Sequence, residues 1–168
     1  TVLMGCISYL RDVVRSATEV REKLDCDFLG EIPHERKYKT LASRLHSHKS
    51  SILINNPVTG FRFVESMRKL RHRVEQHMGG CKVLMVTSLL ENEGKSTVAA
   101  NLALSMAQKY DKVLLVDCDL RNPSVCKALQ MKSKNSMAEY MQGKVTIIDR
   151  IQPAAQENLF VVSGGSGA

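Results

Sequence analysis

The run Gly94–Thr97 (G-K-S-T) has the residue types needed to hold a chain of phosphates. It follows a short apolar run at 83–86, which predicts a strand, and it precedes an Ala- and Leu-rich segment at 98–108 with helical spacing. Unpaired backbone N–H groups and the helix dipole make the start of such a helix an anion site. Lys95 adds a positive charge for the β and γ phosphates, and the Ser96 hydroxyl can ligate Mg²⁺.

The full phosphate-loop pattern is G-x-x-x-x-G-K-[ST], and Leu89 stands where the first Gly would be. A G-K-S tripeptide alone favours a simple surface turn. The preceding strand, the following helix and a second strand that ends in carboxylates favour nucleotide binding instead. The predicted nucleotide-binding residues are Asn92, Glu93, Gly94, Lys95, Ser96, Thr97 and Arg121.

Two carboxylates, Asp117 and Asp119, directly follow a second apolar run at 113–116. Alternate residues at a strand end point to the same side, and ligands bind at the carboxyl ends of strands in open α/β sheets. The pair is suited to hold hydrated Mg²⁺ and to orient or deprotonate an attacking hydroxyl. The alternative is a polar strand end with an Asx turn that leads into Asn122-Pro123. The predicted catalytic residues are Lys95, Asp117 and Asp119, and the predicted metal ligands are Ser96, Asp117 and Asp119.

Strand, helix and strand follow one another within residues 83–116, which is the pattern of a βαβ unit with parallel strands. We predict an α/β fold of the P-loop NTPase class, with a doubly wound, mostly parallel sheet that is truncated at its C-terminus. The other predicted elements are helices at 16–24, 57–78 and 136–142 and strands at 28–32 and 159–162.

Composition and charge narrow the class of protein. The 168 residues are 43% hydrophobic and 24% charged, which excludes global disorder, collagen and a polytopic membrane protein. Residues 34–77 contain ten basic and three acidic side chains, so the net charge of +7 is concentrated there. A polyanion or an acidic membrane surface fits this stretch. Five scattered cysteines without a C-x-x-C pair indicate a reducing compartment.

The opening run at 1–7 is apolar but much shorter than the roughly 20 residues of a membrane helix. It is compatible with the end of a membrane span or with a short buried strand or helix. If it ends a span, the arginines that follow place this side in the cytoplasm, namely Arg11, Arg15 and Arg21.

The motifs around the loop and the acidic pair resemble those of one family. V-T-S-L-L-E-N-E-G-K-S-T and V-L-L-V-D-C-D-L-R-N-P-S resemble the Walker A and Walker A′ motifs of bacterial tyrosine kinases, the autokinases of capsular and exopolysaccharide export. F-L-G-E-I-P, S-M-A-E-Y-M-Q-G and N-L-F-V-V-S-G-G also resemble segments of that family. Its members commonly lack the first Gly and have Pro-Gly in place of Glu91-Asn92. Asn tolerates the left-handed conformation well enough for this exchange.

The resemblance implies an ATP-dependent protein-tyrosine kinase that phosphorylates itself and regulates polysaccharide polymerisation and export, with ATP and Mg²⁺ as cofactors. It implies a protein anchored in the bacterial inner or plasma membrane by a Wzz-type chain-length determinant, with its kinase domain on the cytoplasmic face. The implied partners are further copies of the chain in a ring-like homo-oligomer and the polysaccharide export and polymerisation machinery, and not nucleic acid.

A second family motif, E-x-x-R-x-x-R, matches Glu65, Arg68 and Arg71. Residues three apart share a helical face, so these side chains can meet a neighbour together. In the family this helix joins subunits, and the resemblance therefore implies an oligomerisation role for the three residues. The alternatives are a solvated charged face and contact with anionic lipid.

Two other functions are compatible with the same fold. MinD- and ParA-like positioning ATPases share the aspartates, but they carry a signature Lys five positions before the loop Lys, where this chain has Leu90. A non-catalytic nucleotide-binding scaffold of the export machinery is the second alternative, and detection of phosphotyrosine would separate it from a kinase.

The expected organisation has three parts: the end of a membrane anchor and juxtamembrane segment at 1–33, a basic linker and oligomerisation helix at 34–80, and the N-terminal part of a kinase domain at 81–168. The run V-T-I-I-D ends at Asp149, but its apolar spacing predicts a helical turn rather than a Walker B strand. No tyrosine cluster is present, since Tyr9, Tyr38, Tyr110 and Tyr140 are isolated. We therefore expect a fragment that is inactive alone.

Overall fold

A computed structural model describes residues 17–24, 26–35, 52–133 and 137–165. The chain divides into two compact units, residues 1–30 and residues 31–168. Helix α1, Ala17–Leu24, lies in the first unit and confirms the predicted N-terminal helix. In the described part of the chain, no helix is both long and apolar enough to cross a membrane. The apolar opening at 1–7 lies outside the described residues.

The predicted strand at 28–32 is wrong, because residues 26–35 form neither helix nor strand. Gly30 lies in the middle of this stretch with a φ of +149°, which is open to glycine and is not a strand conformation.

Within its described residues, the second unit is an α/β fold with a mixed sheet of three strands. Strands β1 and β3 pair in parallel, with Val113 opposite Leu159, and β2 pairs antiparallel to β3. The strand order is β1-β3-β2. The elements of this unit are α2 (Phe61–His77), α3 (Lys95–Ala107), β1 (Val113–Val116), α4 (Val125–Ala128), α5 (Met137–Met141), a 3₁₀ turn (Ile148–Arg150), β2 (Gln152–Pro153) and β3 (Leu159–Val162).

Helix α2 forms because apolar residues recur at helical spacing on one side of a strongly charged segment. It buries Phe63, Met67 and Val74, and each buried side chain of this size contributes roughly 1.5–3 kcal/mol. The helix begins at residue 61 rather than at the predicted residue 57. A turn at 56–59, closed by the Thr59 N–H on Asn56 O at 2.9 Å, occupies those positions.

Helix α3 is the central helix of this unit, with buried side chains on nearly all sides from residue 100 to residue 107. It contacts α2 on one side and β1, β3 and α4 on the others. Neighbouring elements therefore cover this helix from several directions. The core around it contains Leu53, Ala103, Leu104, Ala107, Val125, Cys126, Leu159 and Val161.

Polar contacts also join α2 to α3. The Arg71 guanidinium donates from Nη1 to Ser105 O at 2.7 Å, and Lys109 Nζ lies 2.9 Å from Glu75 Oε2. The Lys109 hydrogen bond is the main reason that the pKa of Glu75 lies below its ordinary value. These contacts join α2 to the helix that follows the predicted phosphate loop.

The predicted strand at 83–86 is wrong in the structure, because residues 81–88 have no regular secondary structure. Val83 is 87% exposed and Met85 is 83% exposed. A strand is held by a hydrogen-bonded neighbour, and none of the three strands of the described sheet pairs with this segment. The structure confirms the elements predicted further along the chain, namely β1, β3, α5 and the helical turn at Asp149.

Candidate functional site

The loop before α3 is defined by two residues with positive φ and by one carboxylate. Asn92 has a φ of +62°, which confirms that this residue adopts the left-handed conformation. Gly94, with a φ of +94°, is the N-cap of α3. The Glu93 carboxylate accepts the backbone N–H groups of Leu89 and Leu90 through Oε2, both at 3.1 Å. Glu93 thus closes the loop in which Leu89 stands at the position of the first glycine.

The first turn of α3 presents donors toward this loop. The first intrahelical bond of the turn joins the Val98 N–H to Gly94 O at 2.9 Å, and Gly94 has no side chain that could cap the helix. The N–H groups of Lys95, Ser96 and Thr97 precede that bond, so they have no partner further back in the helix. Together with the helix dipole, these groups can bind phosphate oxygens.

Lys95 and Asp119 form an ion pair at this helix start. Lys95 Nζ lies 3.4 Å from Asp119 Oδ2, and both side chains are about one-third exposed. The pKa of Asp119 is lowered, chiefly because the Asn122 N–H donates to Oδ1 at 3.0 Å and also because of Lys95. An anionic carboxylate and an ammonium group therefore face each other beside the donors of the loop.

Asp117 is only 5% exposed, and backbone N–H groups hold its carboxylate on both oxygens. Oδ2 accepts from the N–H groups of Ser124 and Val125, both at 3.0 Å, and Oδ1 accepts from the Asp119 N–H at 3.1 Å. The bond from the Asp119 N–H, two residues further on, is that of an Asx turn, the alternative to a metal role, whereas the Ser124 and Val125 N–H groups come from a later segment. A carboxylate has about four lone-pair sites, so three N–H bonds still leave Asp117 capacity for a cation.

Ser124 is a site residue that the sequence analysis did not single out. Its hydroxyl donates to the Ser96 hydroxyl across 2.6 Å, although the two residues are 28 positions apart in the chain. The sequence signal was limited to the run N-P-S, which predicts a turn and a helix N-cap.

Gly164, at the end of β3, packs directly on the acidic segment. A Cβ atom at this position would lie 2.9 Å from Asp119 O and 3.2 Å from Asp117 O. The Asp117 N–H also donates to Val162 O at 2.9 Å, so the parallel pairing continues to the site. Glycine, which has no Cβ atom, fits this close approach, whereas a larger residue would clash with the backbone. This requirement for glycine was not predicted from the sequence.

The remaining predicted binding residues act through their backbone atoms in this structure. The Arg121 side chain is exposed, and its N–H helps to lower the pKa of Asp119. Thr97 O accepts the Asn101 amide at 2.8 Å. Within the described ranges, no three His, Cys, Asp or Glu side chains form a cluster that could hold a metal ion.

The three predicted oligomerisation residues make different contacts within the chain. Arg68 Nη1 pairs with Glu65 Oε1 at 2.7 Å on the outer side of α2. Arg71 instead donates to Ser105 O of the same chain and lies 3.7 Å from Glu75 Oε1. Glu65 and Arg68 are therefore available at the surface, whereas Arg71 is engaged between α2 and α3.

A family profile described as "ParA: NUBPL iron-transfer P-loop NTPase" matches residues 81–166. This stretch is about half of the chain and contains the loop, Asp117, Asp119 and Ser124. The chain belongs to this ParA-type P-loop NTPase family. The predicted fold class is thereby confirmed.

Curated relatives of this P-loop NTPase are bacterial tyrosine-protein kinases. YwqD of Bacillus subtilis is 38% identical over 84 residues, which cover 50% of this chain and 35% of YwqD. CpsD of Streptococcus pneumoniae is 36% identical over 86 residues, which cover 51% of this chain and 38% of CpsD. The alignments thus span little more than a third of either relative. These relatives confirm the resemblance to bacterial tyrosine kinases.

Among solved structures, the kinase domain of the Escherichia coli tyrosine kinase Etk matches this P-loop NTPase with a TM-score of 0.72. The two sequences are 26% identical, and the match covers 92% of this chain and 62% of that domain. The α/β architecture described above therefore matches part of a bacterial tyrosine kinase domain.

Proposed function

We propose that this protein is an ATP-dependent protein-tyrosine kinase that phosphorylates itself and regulates capsular or exopolysaccharide polymerisation and export. The observation that carries the proposal is the ion pair of Lys95 and Asp119, 3.4 Å apart, at the uncapped start of α3. An ammonium group, which is suited to bind phosphate, and a carboxylate, which is suited to bind a metal ion, thus lie together at one helix N-terminus. The kinase relatives support the same assignment.

Each proposed ligand of Mg-ATP has a role that its chemistry allows. The N–H groups of the first turn of α3 and the Lys95 ammonium would bind phosphate oxygens. Ser96, Asp117 and Asp119 offer hydroxyl and carboxylate oxygens, the donors that Mg²⁺ prefers. Bound Mg²⁺ would neutralise phosphate charge during transfer.

The lowered pKa of Asp119 supports a role as a charged ligand over a role as a proton acceptor. A carboxylate that stays anionic can hold a cation and can orient an acceptor hydroxyl by accepting its hydrogen bond. We therefore assign to Asp119 the orientation of the metal or of the tyrosine hydroxyl.

The ATPase and scaffold alternatives are less well supported. Leu90 occupies the position of the MinD- and ParA-type signature Lys, and its side chain is exposed. A scaffold would bind nucleotide without transferring phosphate to tyrosine, whereas the relatives reported above are named as tyrosine-protein kinases.

Phosphotyrosine on the protein isolated from its own cells is the decisive test. We expect a signal in immunoblots and mass spectrometry that disappears with Lys95→Met, because phosphate binding needs the Lys95 charge. A persistent signal in that variant would contradict self-phosphorylation. Tyrosines that stay unmodified in the wild-type protein would favour the scaffold.

We also propose that residues 1–168 alone bind nucleotide but transfer phosphate slowly. A Walker B aspartate would stand at the end of a strand after Asp119. The candidate among the described residues is Asp149, which follows an apolar run but lies in a 3₁₀ turn. Phosphoryl transfer depends on positioning, so an incomplete set of ligands slows it. Labelled ATP should therefore label the isolated chain far less than the protein from its own cells.

We propose that the protein forms a ring-like homo-oligomer at the cytoplasmic face of the membrane, together with the polysaccharide export machinery. The exposed pair of Glu65 and Arg68 supports a contact with a neighbouring copy. The double variant Glu65→Ala/Arg68→Ala should lower the mass measured by light scattering without weakening Mg-ATP binding. Lys69→Ala, at a neighbouring exposed position of α2, is the control. An unchanged mass in the double variant would contradict this contact.

A further inference from the structure

The Ser124 side chain contacts the hydroxyl that the phosphate loop offers to a cation. Ser124 Oγ and Ser96 Oγ are 2.6 Å apart, and both residues are half-buried. The Ser124 N–H donates to Asp117 Oδ2 at 3.0 Å. A single residue thus touches two of the three oxygen-bearing side chains that are proposed to hold Mg²⁺.

The Ser124 hydroxyl donates to Ser96, although a serine at a helix N-cap usually bonds the backbone of its own helix. Ser124 is the N-cap of α4, where a serine hydroxyl usually accepts a backbone N–H of the first helical turn. Here the Asp117 carboxylate accepts the N–H groups of Ser124 and Val125 instead, and Ser124 makes no side-chain cap. Because Asp117 accepts these N–H groups, the Ser124 hydroxyl is available to bond Ser96.

The contact matters because of the direction of one proton. A neutral hydroxyl that binds a cation through an oxygen lone pair must turn its proton away from that cation. That proton then needs an acceptor, and Ser124 Oγ is already within hydrogen-bond distance of Ser96 Oγ. Seryl hydroxyls donate and accept, so the hydrogen bond can reverse by rotation of the two O–H groups.

We propose that Ser124 is a positioning residue for the divalent cation of the bound nucleotide. In the cation-bound protein, Ser96 donates its proton to Ser124 Oγ and turns a lone pair to the cation. Ser124 does not touch the cation. The inference rests on the nucleotide site proposed above and adds a residue that acts on the metal through Ser96.

The test separates binding of the metal from binding of the nucleotide. Mn²⁺ is the probe, and its affinity for the protein with bound ADP is measured by electron paramagnetic resonance. ADP affinity is measured separately by calorimetry in EDTA. Ser124→Ala should weaken Mn²⁺ binding about tenfold, as removal of a group that orients a metal ligand typically does. ADP affinity in EDTA should not change.

Two further variants make the result specific. Ser124→Thr keeps a hydroxyl and should bind Mn²⁺ nearly as well as the wild type. Thr146→Ala removes a hydroxyl that donates to Asp149 at the same 2.6 Å on an exposed turn, and it should have no effect.

Four outcomes would overturn the inference. Equal Mn²⁺ affinity in Ser124→Ala and the wild type would show that the hydroxyl does not act on the metal. Equal weakening of ADP binding in EDTA would show a role in the loop structure instead. Failure of Ser124→Thr to restore Mn²⁺ binding would remove the hydroxyl as the cause. A wild-type protein that binds no ADP would instead overturn the proposed function, and this inference would fall with it.

Discussion

Replacing Lys95 with Met is expected to abolish measurable binding of Mg-ATP. Lys95 Nζ is the positive side chain paired with Asp119 at the start of α3, and Met removes the charge while keeping an unbranched side chain of similar length. Hydrogen bonds to charged groups contribute about 1.5–3 kcal/mol each, and Lys95 is proposed to contact two phosphates. The affinity should therefore fall by roughly 100-fold or more in calorimetry.

Lys109→Met is the matched control for this variant. Lys109 is also an exposed lysine in contact with a carboxylate, since its Nζ lies 2.9 Å from Glu75 Oε2. It follows the C-terminus of α3, at the opposite end from the phosphate loop. Loss of the Lys109 charge should leave Mg-ATP affinity unchanged. Equal affinity of a folded Lys95→Met protein and the wild type would refute the assignment of the loop.

Replacing Asn101 with Ala is expected to cause the largest loss of stability among polar substitutions in this unit. Asn101 is fully buried on α3. Its Oδ1 accepts the Ile54 N–H at 2.8 Å, and its Nδ2 donates to Ile52 O and Thr97 O at 2.7 and 2.8 Å. Alanine leaves the Ile54 N–H and Ile52 O, which are part-buried, without this partner. The free energy of unfolding should fall by about 2–4 kcal/mol in urea titrations.

Ser105→Ala is the control for Asn101, because Ser105 lies one helical turn further along α3 and is also fully buried. Its hydroxyl has no hydrogen-bond partner within the described part of the chain. Loss of an unsatisfied buried hydroxyl should leave the stability nearly unchanged. Similar unfolding energies for Asn101→Ala and the wild type would show that the amide does not hold the segment at 52–54 to α3.

The parts of the site that could be predicted from sequence are those determined by local chemistry. Lys95 and Ser96 stand at the start of an apolar helix, directly after Gly94, and glycine is one of the residues favoured at that N-cap position. Asp119 follows a β-branched apolar run that could be predicted as a strand. These features involve neighbours in the chain, so spacing alone indicates them.

The features that could not be predicted depend on contacts between distant segments. Ser124 meets Ser96, and Gly164 meets the acidic segment, only after α3, β1 and β3 have packed together. The segment at 83–86 has the apolar composition of a strand, but pairing decides whether a strand forms. Arg71 matches a surface motif, and yet the orientation of α2 turns its guanidinium toward α3.

The central claim is that nucleotide phosphates bind at the start of α3, and backbone amide NMR of the 18.7 kDa chain tests it most directly. Addition of Mg-ADP should shift the ¹⁵N–¹H signals of Gly94–Thr97 far more than those of α2, and Lys95→Met should remove these shifts. Unchanged signals for Gly94–Thr97, or shifts confined to other parts of the chain, would contradict the account.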